Sequence, residues 1–142
     1  MTPTDADPEL LVDTSVAVAL SIADHQARSG CRAAVEGRRL GLSGHAAFET
    51  FSVLTRLPPP TRRTGRAVSV LLAHNVPHTV FLDSEAASDP MTRLPEVGIS
   101  GGAVYDAPVG MCALRASVPL VTRDRRAPVT YRALEMDVVL VE

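Results

Sequence analysis

The chain predicts an α/β fold, a single domain built on a mainly parallel sheet of five strands, and three observations carry that reading. Short runs of branched apolar residues alternate with longer stretches of helical spacing from Leu10 to the C-terminus, the pattern of strands buried between helices. Two of those runs lead into an acid, Leu10-Leu11-Val12-Asp13 and Val118 to Thr122 followed by Arg123-Asp124. In open α/β sheets, ligands bind outside the carboxyl ends of the strands. Finally, 142 residues with 46% hydrophobic and 21% charged side chains describe one globular domain, large enough to bury a core without disulfides or a structural metal.

Residues 1–9 are acidic and polar and are expected to form a flexible tail, with the domain occupying 10–142. After the Leu10–Asp13 strand, Thr14 or Ser15 can cap a short helix over Ser15 to Ile22. Asp24 opens a second helix to Arg38, with Ala27, Cys31, Ala34 and Val35 at helical spacing. Leu40 to Leu42 is a weak strand, and Ser43 an N-cap. His45 to Leu57 follows as a helix whose apolar face is Phe48, Phe51, Leu54 and Leu57, stopped by Pro58-Pro59-Pro60. Arg62, Arg63 and Arg66 open the next helix, which runs through Val68, Leu71 and Leu72. The proline-rich basic tip between these helices is either a solvated turn or a phosphate contact. His78 to Leu82 reads as a third strand, and Asp83-Ser84-Glu85 begin a helix that fades near Asp89-Pro90. A segment from Ile99 to about Ala116, a strand over Val118 to Thr122, a small helix around Tyr131 to Leu134 and a last strand over Val138 to Val141 complete the chain.

Composition excludes several functions. The fourteen basic residues are all Arg, so neither a Walker-type phosphate loop nor Schiff-base chemistry is available, both of which require Lys. A receiver domain would lack its Lys as well. A net charge of −2 and the absence of Trp argue against a nonspecific nucleic-acid binder with aromatic stacking platforms. Cys31 and Cys112 lie far apart, in apolar stretches that make them small buried hydrophobes. The sequence shows no secretory signal, and its longest apolar run, Leu10 to Ile22, is interrupted by Asp13 and too short for a bilayer. A cytoplasmic protein without a membrane partner is expected.

Four acids stand in apolar contexts. Asp13 and Asp124 follow buried strands, Glu49 sits beside Phe48 and Phe51, and Asp106 lies in Gly101-Gly102-Ala103-Val104-Tyr105-Asp106-Ala107. Each alone is explained by a cap, a helix edge or a turn. Four together are harder to explain that way, and if they converge the electrostatics are decisive: two carboxylates about 5 Å apart repel by roughly 3 kcal/mol at an effective dielectric near 20. A converged cluster must take up protons or bind divalent cations. An all-oxygen set favours Mg²⁺ or Mn²⁺ over zinc, and metal-assisted phosphodiester hydrolysis suits it.

These residues resemble a known family. Leu11-Val12-Asp13-Thr14-Ser15, Leu42-Ser43-Gly44-His45-Ala46-Ala47-Phe48-Glu49 with Val53-Leu54-Thr55-Arg56-Leu57-Pro58, Ile99 to Ala107, and Leu120-Val121-Thr122-Arg123-Asp124-Arg125-Arg126-Ala127 are similar to PIN-domain ribonucleases of the VapC toxin type. The resemblance spans Leu10 to Val141. It implies a three-layer α/β sandwich, a homodimer, Mg²⁺-dependent cleavage of RNA with Mn²⁺ as a possible substitute, and a cognate antitoxin that blocks the site. Transfer or ribosomal RNA would be the substrate. By match, Asp13, Asp106 and Asp124 hold the metal, Glu49 holds it or orients the attacking water, and Thr122 and Thr14 support the acidic cluster. One departure is Pro108. A helix starting near Tyr105 keeps it in the tolerated first turn, whereas one starting at Ser100 is kinked there.

That departure sustains an alternative, a catalytically impaired PIN-like binding module acting through its partner complex; a metal-dependent phosphatase is a third reading. Other signals are weaker. His45 and Glu49 have a zinc-compatible spacing but no third ligand nearby, and Pro77 separates His74 from His78. Gly101-Gly102 follows no strand, which disfavours a dinucleotide site. Ser15 and Ser43 have no evident base to activate them as nucleophiles. Arg123, Arg125 and Arg126 are either phosphate contacts or a solvated turn.

Overall fold

The computed structural model describes residues 6–142; of the tail expected over residues 1–9, residues 1–5 lie outside the described ones. The chain runs β1 (Leu10–Val12), α1 (Thr14–Ser21), α2 (Arg28–Val35), β2 (Leu40–Leu42), α3 (Ala46–Thr55), α4 (Gly65–Asn75) and α5 (Ser84–Glu96). A 3₁₀ turn over Gly101–Tyr105 leads into α6 (Asp106–Ala116), β3 (Leu120–Thr122), α7 (Ala127–Ala133) and β4 (Val138–Leu140).

The four strands form one parallel sheet in the order β2-β1-β3-β4, with Leu11 opposite Gly41 on one side and Leu120 on the other. β1, β2 and β3 are buried throughout, which is why they read as unbroken apolar runs rather than alternating ones. From β1 the chain moves outward to β2, then returns past β1 to β3 and β4. Right-handed crossovers in opposite lateral directions put their helices on opposite faces. α1 and α2 of the first crossover pack together, and α6 packs with α5 and α7; α3 and α4, which open the connection from β2 to β3, pack instead against α1. The order reverses between β1 and β3, so a crevice opens beyond their carboxyl ends.

The sheet has four strands, not the five expected. The segment read as a third strand, His78 to Leu82, forms no continuous ladder with β2; the pairing is reduced to isolated bridges, Gly41 with the preceding Pro77 and Ser43 with Val80. Pro77 has no amide to donate, and Leu42 N donates to the Thr79 side chain at 3.1 Å rather than to a backbone carbonyl. These two features break the ladder. The approach is nonetheless close: a Cβ on Gly41 would lie 2.0 Å from His78 O.

Other boundaries differ for local reasons. α2 begins at Arg28, not Asp24; Ala27 N donates to His25 Nδ1 at 3.1 Å, which holds the preceding residues in a turn. α5 does not fade at Pro90 but continues to Glu96, capped by Asp83 on Ala86 N at 2.7 Å and anchored by buried Ala86, Pro90 and Leu94. In α3 the inward face is Ala46, Thr50 and Leu54, spaced by four. Phe48 is 67% exposed and Phe51 37%, so the triplet spacing of aromatic residues marks the outer side. Asp106, Ala107 and Pro108 open α6 directly after the 3₁₀ turn, and a proline in this first turn removes no hydrogen bond within α6 itself.

Candidate active site

Asp13 leaves β1 in extended conformation and serves as the N-cap of α1, accepting from Val16 N at 3.3 Å. Its backbone amide donates to Val121 O, and Ser43 N to Val12 O, so both neighbouring strands fix its position. The side chain is buried, and two hydroxyls serve it. Ser15 Oγ donates to Oδ1 at 2.5 Å, and Thr122 Oγ1, at the end of β3, donates to Oδ2. Each hydroxyl also accepts a backbone amide from the loop after β3: Arg123 N to Ser15 Oγ at 2.8 Å and Asp124 N to Thr122 Oγ1 at 3.0 Å. The two oxygens therefore tie the end of β1 to the loop that carries Asp124. Burial pushes the Asp13 carboxyl above its ordinary range, with these hydrogen bonds working in the opposite direction.

Asp124 is partly exposed and accepts from Arg126 N at 2.9 Å, with the Arg126 guanidinium 3.6 Å away in an exposed pair. Asp106 opens α6. Its carboxyl is pushed from an ordinary 3.8 to about 6, first by burial and then by the charges of Asp124, Asp13 and Glu49, with Arg126 opposing. Glu49 rises from the first turn of α3. Thr14 Oγ1 donates to Ala46 O at 3.3 Å and so pins the start of that helix.

All four acids singled out in the sequence line one cavity of about 200 Å³ with Thr14, Ser15, Ala46, Val109 and Tyr131. Thr122 lies behind Asp13. Two residues have parts that the sequence reading did not assign: Ser15, read as a helix cap and weighed as a nucleophile, supports Asp13, and Tyr131, placed only in a small helix, lines the cavity. Neither carries a local signal, because the partners of each come from distant segments. A larger apolar groove of about 840 Å³ adjoins the cavity and shares Glu49, Asp106 and Val109 with it. His45 lines that groove, and the Arg62, Arg63 and Arg66 side chains line neither space.

Among the described residues no three His, Cys, Asp or Glu side chains stand as a ready-made metal cage. The donor chemistry fits a hard divalent cation all the same. The facing side chains are carboxylates and hydroxyls, and Asp106 is lifted by burial and by three neighbouring carboxylates that the Arg126 guanidinium offsets only in part.

The sequence matches the family described as PIN domain over residues 10–133. Among relatives, Ribonuclease VapC27 of Mycobacterium tuberculosis is 39% identical over 133 residues, covering 94% of this chain and 97% of the relative. Ribonuclease VapC40 of the same organism is 44% identical over 133 residues, covering 91% and 96%. The fold is similar to that in the crystal structure of FitAcB from Neisseria gonorrhoeae, with TM-score 0.65, 16% identity and coverage of 91% and 95%. It is also similar to PAE2754 from Pyrobaculum aerophilum, with TM-score 0.56, 22% identity and coverage of 88% and 87%.

Proposed function

The chain belongs to the PIN domain family, and from that premise we propose that it is a Mg²⁺-dependent endoribonuclease, the toxin of a toxin–antitoxin pair. The observation that carries this reading is the convergence of Asp13, Glu49, Asp106 and Asp124 on one cavity at the point where the strand order reverses. Similarity to two proteins named ribonucleases supports the substrate class.

Asp13, Asp106 and Asp124 would hold the cation, and Mn²⁺ could replace Mg²⁺. When bound, the ion supplies a polarised water and stabilisation of charge on the phosphate. The protein's own part is to set the carboxylates before the ion arrives. Ser15 and Thr122 fix the rotamer of Asp13 and, through Arg123 N and Asp124 N, its spacing from Asp124. Thr14 holds α3, and with it Glu49, against α1; Glu49, at the exposed rim, orients the attacking water. The apolar walls of Val109 and Ala46 limit bulk water on the other side.

A protein partner is supported by the adjoining groove, along which Phe48, Met91 and Tyr105 are 67%, 71% and 79% exposed. The cognate antitoxin would cover such a surface, and the toxin would act as a cytoplasmic homodimer on transfer or ribosomal RNA. Among the described residues no helix is long and apolar enough to cross a membrane. The reading as an impaired binding module rested on Pro108, which sits in the first turn of α6 without breaking it.

Purified protein is expected to cleave RNA with Mg²⁺ or Mn²⁺ and to stop on chelation, and Asp106→Asn is expected to lose cleavage by at least about a hundredfold. Equal cleavage by parent and variant would assign the activity to a contaminant and end the proposal.

A further inference from the structure

Three hydroxyls line the acidic cavity, and two have committed their protons. Thr14 Oγ1 donates to Ala46 O and Ser15 Oγ to Asp13 Oδ1. The third belongs to Tyr131, a side chain only 1% exposed that nevertheless lines the cavity. It makes no hydrogen bond to any described residue. Every side-chain nitrogen or oxygen sealed from solvent has a partner, so an unpartnered phenol here opens into the cavity. Its oxygen lies within electrostatic reach of Asp13, Asp106, Asp124 and Glu49. The ring has little room to swing away, because α6 passes so close that a Cβ on Gly110 would lie 2.9 Å from Tyr131 Cδ1.

A donor without an acceptor, buried among groups that can only accept, is a costly arrangement unless something completes it. The ionised carboxylates are acceptors, and so is the anionic oxygen of a phosphodiester. A bound cation would neutralise part of the resulting negative charge, and a non-bridging phosphate oxygen could still accept a hydrogen from the protein. Of the side chains lining the cavity, Tyr131 has the one hydroxyl proton not already given to the protein. The geometry points to Tyr131 as a substrate-binding residue of the proposed nuclease, its hydroxyl donating to a non-bridging oxygen of the phosphodiester that enters the cavity. No proton leaves the phenol; the contact is a hydrogen bond that positions the phosphorus against the carboxylates. This inference rests on the nuclease reading of the same cavity.

Tyr131→Phe keeps the ring against Gly110 and removes only the hydroxyl. Three measurements on parent and variant test the assignment: calorimetric titration with Mn²⁺ alone, titration of the Mn²⁺-loaded protein with inorganic phosphate, and initial rates of RNA cleavage over a range of RNA concentrations. The expected result is unchanged Mn²⁺ affinity and melting temperature, about tenfold or greater weakening of phosphate binding, and a KM for RNA raised by a similar factor with a smaller change in kcat. Unchanged phosphate affinity and KM would overturn the assignment. Weakened Mn²⁺ binding or a lowered melting temperature with phosphate affinity intact would do so too, since the hydroxyl would then serve the carboxylates or the fold. A parent that binds Mn²⁺ and cleaves RNA while the variant matches it in every respect refutes this inference alone. A parent that does neither refutes the nuclease reading and this inference with it.

Discussion

Replacing Asp106 by Asn in the metal-free protein is expected to stabilise the fold, by an amount that depends on pH in a defined direction. The carboxyl is lifted from 3.8 to about 6 by burial and by three neighbouring acids. At about 1.4 kcal/mol per tenfold change in proton affinity, keeping it ionised in the folded state costs on the order of 3 kcal/mol. Asp106 retains some solvent contact, so screening reduces this to roughly 1–2 kcal/mol. A raised carboxyl binds its proton more tightly when folded than when unfolded. The cost is therefore absent below about pH 4, grows between pH 4 and 6, and is fully present above that. Asparagine carries no charge at any of these pH values. Urea unfolding of parent and Asp106→Asn in chelator, at about pH 4 and about pH 7.5, should give equal stabilities at the lower pH and a variant more stable by roughly 1–2 kcal/mol at the higher. Adding Mg²⁺ should close the gap by stabilising the parent alone. A variant no more stable at pH 7.5, or equally stabilised at both pH values, would refute the idea that uncompensated repulsion is stored in this cavity.

Thr122→Val leaves the buried Asp13 carboxylate without one donor and the Asp124 amide without its acceptor; unfolding should become easier by about 1–3 kcal/mol, with Thr122→Ser restoring most of the loss and RNA cleavage following the same order. Pro108→Ala should change unfolding free energy by less than about 1 kcal/mol and leave RNA cleavage intact, because the proline occupies a first-turn position that asks for no amide. Lost or greatly increased cleavage in that variant would show that the residue shapes the site after all.

Much of this site is legible in the chain because its acids stand where acids are otherwise costly. Asp13 directly follows a strand buried on both faces, Asp124 follows another with Arg123 between, and Asp106 lies among glycine, alanine and valine. β1 and β3 were readable for the same reason, since burial on both faces favours short apolar runs. Misreadings arose where side chains do work that periodicity cannot express. Phe48 and Phe51 suggested an inward face, yet the small Ala46 and Thr50 allow α3 to approach its neighbours, and the phenyl rings are left outside. His78 to Leu82 has strand composition, but the Thr79 hydroxyl and Pro77 between them interrupt the ladder.

What the sequence alone determined is which residue types are present and, apart from His78 to Leu82, the order of strand and helix, because both follow from local chemistry and short-range spacing. What only the tertiary structure decided is which of them meet. Ser15 and Thr122 are 107 residues apart, yet their hydroxyls lie 3.5 Å from each other beneath Asp13, because β3 pairs beside β1 in parallel register. Tyr131 comes under Gly110 because α7 packs on α6. Contacts of that kind are set by strand order and by the hand of the crossovers, and no window of neighbouring residues contains them.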